Sequence, residues 1–343
     1  MLRKAYESVA HKLLSVYSNK LNERYRYLHS PNNAERFSEI PLFINSWQAI
    51  CIESELSPKK IISKNIMGEN IVVWKTDHNR ISVMDAYCPH FGVHLGSGGV
   101  IVEDVIVCPF HHRKFDADGH CRGKGMKNIY SYPVRVNAGI VFAWFDSEKN
   151  PPSWELPNLE IDLDGECWRT MNTKLQGIAV GAHPMTYIEN GVDFSHAEAL
   201  HGLRQEDTSM KAKEETLSVF FRHAEEKRGY FNIQAYGPFV VDYKVSFTWW
   251  KRSCFRFLVL LQLMPDKTFI AHKIEMKHKT PVNSFLVRML HAGIFIYFEF
   301  KLLKTFMKED HMIMINRKHL EAPDYGEQDS YAKDFRVWYK QFY

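Results

Sequence analysis

The sequence predicts an α+β protein, in which an all-β domain is followed by a domain whose antiparallel sheet is closed by a helix. Two observations carry that expectation. Between Trp47 and Phe145 the chain is a series of short runs rich in β-branched and aromatic residues (IVVWKT, ISVMDA, VIVCPF, VRVNAGIVFAWF), broken by Gly, Asn and Asp. Further on, TLSVFFRHA, FVVDYKVSFTWW, FRFLVLLQL and FIAHKIEMKH follow one another before helical spacing returns from Ser284 to about Asn316. Strands that run together ahead of a closing helix favour one antiparallel sheet over alternating βαβ units.

In chain order, residues 1–45 read as an N-terminal helical segment packed on the second domain. Leu2, Tyr6, Val9, Leu13, Val16 and Tyr17 recur at helical spacing, with Lys4, Lys12, Lys20 and Arg24 around them, a face that also suits a membrane surface. The all-β domain covers residues 46–150. Pro151, Pro152 and Pro157 then fall within ten residues, which fits an extended connection and opens the second domain, residues 151–343. That domain begins with a helical stretch around Glu189 to Leu203.

Composition removes several function classes. Apolar residues make up 45% of the 343 and aromatics 14%, so the chain has a core to bury and is not disordered. Lys and Arg number 44 against 40 Asp and Glu, a net charge of +4, too weak a field to point to nucleic acid. Six cysteines are too few for a disulfide framework, and MLRKAYESVAHKLLSVYS lacks a cleavable apolar leader, so a reducing, cytoplasmic setting is expected. The apolar window Phe285 to Phe300 is interrupted by Arg288, His291 and Glu299, which fits a buried helix better than a transmembrane span.

Two constellations carry chemistry. In YCPHFGVHLGSGGVIVEDVIVCPFHHRKFDADGHC, Cys88-x-His90 is followed after seventeen residues by Cys108-x-x-His111. Two thiol and imidazole pairs in proline-containing turns can meet at one centre. That centre is either a tetrahedral zinc or a [2Fe–2S] cluster with Cys88 and Cys108 on one iron and His90 and His111 on the other. Zinc fingers usually pair like with like, so the mixed spacing favours the cluster. His94, His112 and His120 are extra imidazoles beyond a filled set of four.

The second constellation is IENGVDFSHAEALHG, with Asn190, Asp193, His196 and His201. On an ideal helix Asp193 and His196 share a face, whereas His196 and His201 lie ~140° apart. For both histidines to reach one metal, the helix must bulge or break between them. Taken alone the spacing is weak, since paired histidines on helices are mostly ordinary surface or core residues.

Together the two constellations resemble the Rieske non-haem iron oxygenases, and within them the 3-ketosteroid 9α-hydroxylases and cholesterol 7-desaturases. DAYCPH with Gly92, Leu95, Gly98 and Gly99, CPFH, Phe115, Gly119 and Cys121, then YPV and IVFAWFD carry the first half of the likeness. Asn-x-x-Asp-x-x-His-x-x-x-x-His carries the second. The resemblance implies a Rieske [2Fe–2S] domain ahead of a helix-grip (START-like) catalytic domain, assembled head to tail as a homotrimer. It implies a mononuclear Fe(II) on His196, His201 and a carboxylate, for which Asp310 of FMKEDHMIMINRK stands in the matching place, with Glu309 as the alternative. It also gives Asp193 the role of bridging a cluster histidine of one subunit to an iron histidine of the next, where its other reading is a helix-terminal charge.

Three departures stand out. Val93 and Phe110 occupy the places where respiratory Rieske proteins have a disulfide, His112 and Arg113 replace the usual Gly-Trp after CPFH, and Met314 replaces a usual Trp. The implied activity is that of a terminal oxygenase, using O2 to hydroxylate or desaturate a hydrophobic ring substrate such as a steroid or sterol. The glycines of GSGG lack the context of a nucleotide fingerprint, so NAD(P)H acts indirectly through a separate reductase or ferredoxin. Phe220, Phe231, Tyr243, Phe247, Trp249, Phe257 and Phe269 are candidates for an apolar cavity, although aromatics alternating along strands are mostly core. Two other readings stay open at this point: an oxygenase of aromatic or methoxylated substrates, and a lipid-binding or electron-carrying protein without catalysis.

Overall fold

The computed structural model describes residues 33–160, 168–170, 175, 177–202, 204–223, 230–246, 254–278 and 309–343. The N-terminal helix expected before residue 33, Phe247, Trp249 and the window Phe285 to Phe300 lie outside the described residues. The chain divides into two compact units, one spanning residues 42–175 and the other holding the described residues 33–41 and 176–342.

The first unit is all-β. Strand β1 (Ser46–Ile52) pairs antiparallel with β9 (Ile140–Phe145), which also pairs with β8 (Val134–Asn137). Every residue of β1 and β9 is buried, β9 (IVFAWF) as an unbroken apolar run and β1 with Ser46 and Gln48 buried among its apolar residues. Trp47 and Trp144 face each other in register with rings 5.7 Å apart, and Trp154 closes over them: its carbonyl accepts from Trp47 Nε1 at 2.9 Å. The proline-containing stretch is thus seated on this unit's core. A second sheet joins β2 (Ile62–Ile66), β3 (Glu69–Lys75) and β4 (Ile81–Asp85), and a third joins β5 (Val100–Val102), β6 (Val105–Val107) and β7 (Lys114–Asp116). Trp74, Met84, Leu95, Ile106 and Phe115 form the core between these two sheets.

After β10 (Trp168–Thr170) in chain order, the second unit is built on an antiparallel sheet with seven described strands between residues 176 and 342, the first of them β11 (Gly177–Val180). Its long central strands are β15 (Val240–Ser246), β16 (Cys254–Leu263) and β17 (Phe269–His278), flanked by β12 (Gln205–Lys213), β13 (Thr216–His223) and β14 (Tyr230–Tyr236) on one side. Register fixes the faces, because residues paired across strands share a face. Phe231, Tyr243, Phe257 and Phe269 fall on one face and Phe220 on the other. Short helix α1 (Asn33–Arg36) precedes this sheet in sequence, and α2 (Pro184–Val192) and α3 (Phe194–His201) lie on the face of Tyr243, where Tyr187 meets Phe269 and Phe194 meets Phe221 edge-on. A further helix, α4, covers residues 309–316, and α5 (Ser330–Tyr339) packs its Phe335 and Tyr339 beneath α2. Among the described residues no helix is long and apolar enough to cross a membrane.

Candidate metal centres

The first centre sits on two matching loops. Cys88 follows β4, and its N–H donates to Val93 O at 2.9 Å while Gly92 N–H returns to Cys88 O at 2.9 Å. Cys108 follows β6, and its N–H donates to Arg113 O at 2.8 Å while His112 N–H returns to Cys108 O at 3.1 Å. Each loop is therefore closed on its cysteine by the same pair of backbone bonds. The closing residue must be left-handed, and it is: φ is +70° at Gly92 and +57° at His112. That geometry explains why glycine is the usual residue after CPFH, and it places a strained histidine here.

The loops bring the four residues together. Cys88 and Cys108 are buried, and burial, joined by the neighbouring Cys108 thiol, raises the Cys88 thiol's pKa. His90 and His111 are exposed, with their Nδ1 atoms 3.1 Å apart, and slight desolvation, with Arg113 and His111 nearby, holds His90 below its usual value. Two buried thiols behind two outward imidazoles fit a cluster with unlike ends. Exposed Phe91 and Phe110 flank the imidazoles, ring centroids 4.4 Å from His90 and 3.8 Å from His111 respectively.

The second centre is set by helix ends. Pro184 opens α2 and the His183 ring caps it, Nδ1 accepting from Met185 N–H at 3.2 Å. Asp193 then ends α2 and starts α3: its N–H donates to Glu189 O at 3.0 Å, and its Oδ1 accepts from His196 N–H at 3.1 Å. The break expected between the two histidines lies instead at Asp193, ahead of both. His201 reaches the centre because it is the last residue of α3, which Gly202 terminates at φ +63°.

His196, His201 and Asp310 present ligand atoms that all lie within 4.8 Å of one another. Asp310 Oδ1 is 2.8 Å from His201 Nε2 and 3.8 Å from His196 Nε2. Both rings are anchored through their other nitrogen: His196 Nδ1 lies 2.5 Å from Asp193 O, and His201 Nδ1 lies 3.2 Å from Glu309 Oε2. A proton on each Nδ1 leaves each Nε2 lone pair facing Asp310, the outer support that metal-binding histidines ordinarily have. Two imidazoles and one carboxylate on one side of a site fit a ferrous facial triad. Glu309 stands behind His201 instead of beside the other donors. Burial pushes the Asp310 carboxyl up, against the pull of His201 and His196.

Sequence reasoning missed the residues that hold these helices. Glu189, 3% exposed, binds Arg317 just after α4 and Arg336 on α5, one with each carboxylate oxygen. Arg36 caps the end of α4 by donating to the carbonyls of Met314, Ile315 and Arg317, and its guanidinium also reaches Gly181 O at 3.5 Å, shortly before α2. Isolated Glu and Arg residues carry no spacing signature. Asn190 lies half-buried on α2, one turn before Asp193. On α2, Tyr187 faces Tyr243; burial pushes Tyr187 up to about 12 and Tyr243 well above its usual value.

Comparison with known families finds a match for each half of the chain. Residues 46–133 match the Rieske [2Fe-2S] domain, and residues 143–245 match the 3-ketosteroid 9α-hydroxylase C-terminal domain. The chain is a Rieske-type oxygenase. It is 26% identical over 336 residues to cholesterol 7-desaturase of Drosophila melanogaster, covering 88% of this chain and 76% of that protein. It is 29% identical over 172 residues to the oxygenase component of 3-ketosteroid-9-alpha-monooxygenase of Mycolicibacterium smegmatis, covering 46% and 43%. The solved structure of Pseudomonas putida CBB5 NdmA with caffeine superposes with a TM-score of 0.64 at 16% identity, over 90% of this chain and 92% of that one, which shows the shared fold. As a Rieske-type oxygenase the chain is an oxidoreductase that takes a [2Fe–2S] cluster, a mononuclear iron and O2, with a separate reductase as partner and a hydrophobic substrate.

Proposed function

We propose that the chain is the terminal oxygenase of a system that hydroxylates or desaturates a sterol or steroid, with His196, His201 and Asp310 holding the iron. The observation that carries this reading is the convergence of those three side chains, each imidazole tied outward through Nδ1. Its relatives' names supply the substrate class: one acts on cholesterol and the other on a 3-ketosteroid. The aromatic face of the sheet supports it, with Tyr243 stacked on Phe257 at 4.9 Å beside Tyr187 and Phe269, an apolar floor suited to a fused-ring substrate.

In this reading Cys88 and Cys108 hold one cluster iron and His90 and His111 the other. When bound, the cluster supplies electrons singly and the mononuclear iron brings dioxygen to the substrate. The chain's own residues orient these groups. Asp193 fixes the start of α3 and keeps its second oxygen, 4.0 Å from His196 Nδ1, beside the ring that it would link to a neighbouring subunit's cluster histidine. That link requires a head-to-tail homotrimer, and Asn190 lines the approach one turn away. A cytoplasmic location belongs to the same proposal.

The test is sterol-dependent oxygen consumption with a surrogate reductase, in the parent and in His196→Ala. The expected result is turnover in the parent and none in the variant, with the cluster's electron paramagnetic resonance spectrum unchanged. Equal turnover in both would reject the iron site. Binding of sterol without oxygen uptake by the iron-loaded parent would leave a carrier, and uptake with methoxylated aromatics alone would move the substrate class.

A further inference from the structure

We infer that Arg113 sets the reduction potential of the [2Fe–2S] cluster, its guanidinium holding that potential above the value that an uncharged residue gives at the same place. The backbone puts the side chain in position. Cys108 N–H donates to Arg113 O at 2.8 Å, which carries the pairing of β6 with β7 one step beyond Val107 and Lys114. Residues opposite one another in a ladder share a face, and so do alternate residues along a strand. Arg113 therefore stands opposite Cys108, on the side of Ile106 and Phe115. That side is the core of the first unit, in which Cys88, Cys108, Ile106 and Phe115 are buried together. The Trp usual at this place suits an inward position, and this chain puts a cation there.

The charge has no counter-ion. Arg113 is half-buried and is in no ion pair among the described residues. The two acids that follow it are engaged: Asp118 is paired with Arg80, and Asp116 Oδ1 accepts from the backbone N–H of Asp118 and of His120. The field of the guanidinium reaches Cys88 and His90 on the facing loop, and Cys121 beyond β7. On His90 the other charge that acts is His111, itself a donor of the set, and no carboxylate acts there.

Reduction adds one electron, and so one negative charge, to the cluster. A neighbouring cation stabilises the reduced form more than the oxidised one, and a half-buried cation does so through a medium that screens less than water. The electron arrives from the separate reductase and leaves for the mononuclear iron, with no proton or further reactant needed. A raised potential makes the cluster easier to fill and harder to empty, so Arg113 fixes how long the electron waits between the two transfers.

The inference rests on the reading that Cys88, His90, Cys108 and His111 hold the cluster, and the experiment separates the two. Potentiometric titration of the cluster-loaded full chain, followed by visible circular dichroism at fixed pH, is made on the parent and on Arg113→Lys, Arg113→Gln and Arg113→Trp. Lys124→Gln, which removes an equal charge from an exposed position, is titrated alongside. Expected is a fall of about tenfold in the reduction equilibrium in both the Gln and the Trp variants, about 59 mV for a one-electron couple, with Lys close to the parent and Lys124→Gln unchanged. The Trp variant carries the test if the Gln variant fails to hold its cluster. A Gln or Trp potential equal to the parent's would overturn the inference. So would a Lys variant that falls as far as Gln, which would make shape the cause, or a Lys124→Gln shift as large as that of Arg113→Gln, which would make it the general field. A parent without a Rieske spectrum would instead overturn the cluster reading.

Discussion

Two loops of the first unit and two helices of the second solve the same problem, holding candidate metal donors at a fixed separation, by different physics. Around Cys88 and Cys108 the work is done by backbone hydrogen bonds within six-residue loops, so the donors are placed by the chain that carries them. Around His196, His201 and Asp310 the donors come from helices more than a hundred residues apart. There a buried carboxylate with two arginines, and Arg36 on the end of α4, set the distance. Local closure tolerates change elsewhere in the molecule. A side-chain clamp does not, because one substitution releases two helices at once.

Glu189→Ala should break that contrast most strongly. Removing a buried carboxylate leaves Arg317 and Arg336 without their counter-charge, a loss of about 3–5 kcal/mol in the stability of the helical unit. Denaturant unfolding followed by tyrosine and tryptophan fluorescence measures it, with the cluster's visible absorbance as the control. A loss well under 1 kcal/mol would mean that the arginines find other partners and that the clamp is not what sets the helices.

Glu309→Gln probes one ring rather than two helices. The amide oxygen can still accept from His201 Nδ1 but without charge, so ferrous affinity should fall by about 10–100-fold, the usual cost of losing an outer support. Titration with ferrous ion under nitrogen reads this directly. A complete loss of binding would instead make Glu309 a ligand, and no change would show that His201 keeps its aim without help.

The smallest effect lies in the loops. His112→Gly should stabilise the first unit by about 1 kcal/mol by relieving a left-handed L-residue at φ +57°, less the extra freedom glycine brings to the unfolded chain. Thermal loss of the cluster absorbance would rise by a few degrees. A lower transition would show that the imidazole makes a contact worth more than the strain.

The same contrast governs what the sequence makes legible. Cys88, His90, Cys108 and His111 fall within 24 residues, so their spacing alone raises the cluster, and the strand runs of both units follow from apolar period and turn residues. His196 and His201 stand out as a pair, yet the break that lets them meet was expected between them. The physical cause lies elsewhere: Asp193 both ends one helix and caps the next, and His201 sits at a terminus where no further turn constrains it. Asp310 is 109 positions from His201 and was reached through family resemblance, while Glu189, Arg36, Arg317 and Arg336 left no trace because their meaning is purely tertiary. His112 was visible as a departure from the usual residue, but the left-handed backbone that makes it costly was not.

The junction at Asp193 has a mechanical consequence. His196 and His201 ride on one short helix whose direction is set by the torsions of a single residue, φ −84° and ψ 89°, so any movement there carries both rings together. Asp310 rides on a separate support. The site is thus built as a two-part vice, one jaw with two teeth and one with a single tooth, and grip on a bound metal would be lost by the jaws parting while the spacing within the two-toothed jaw stays as it was.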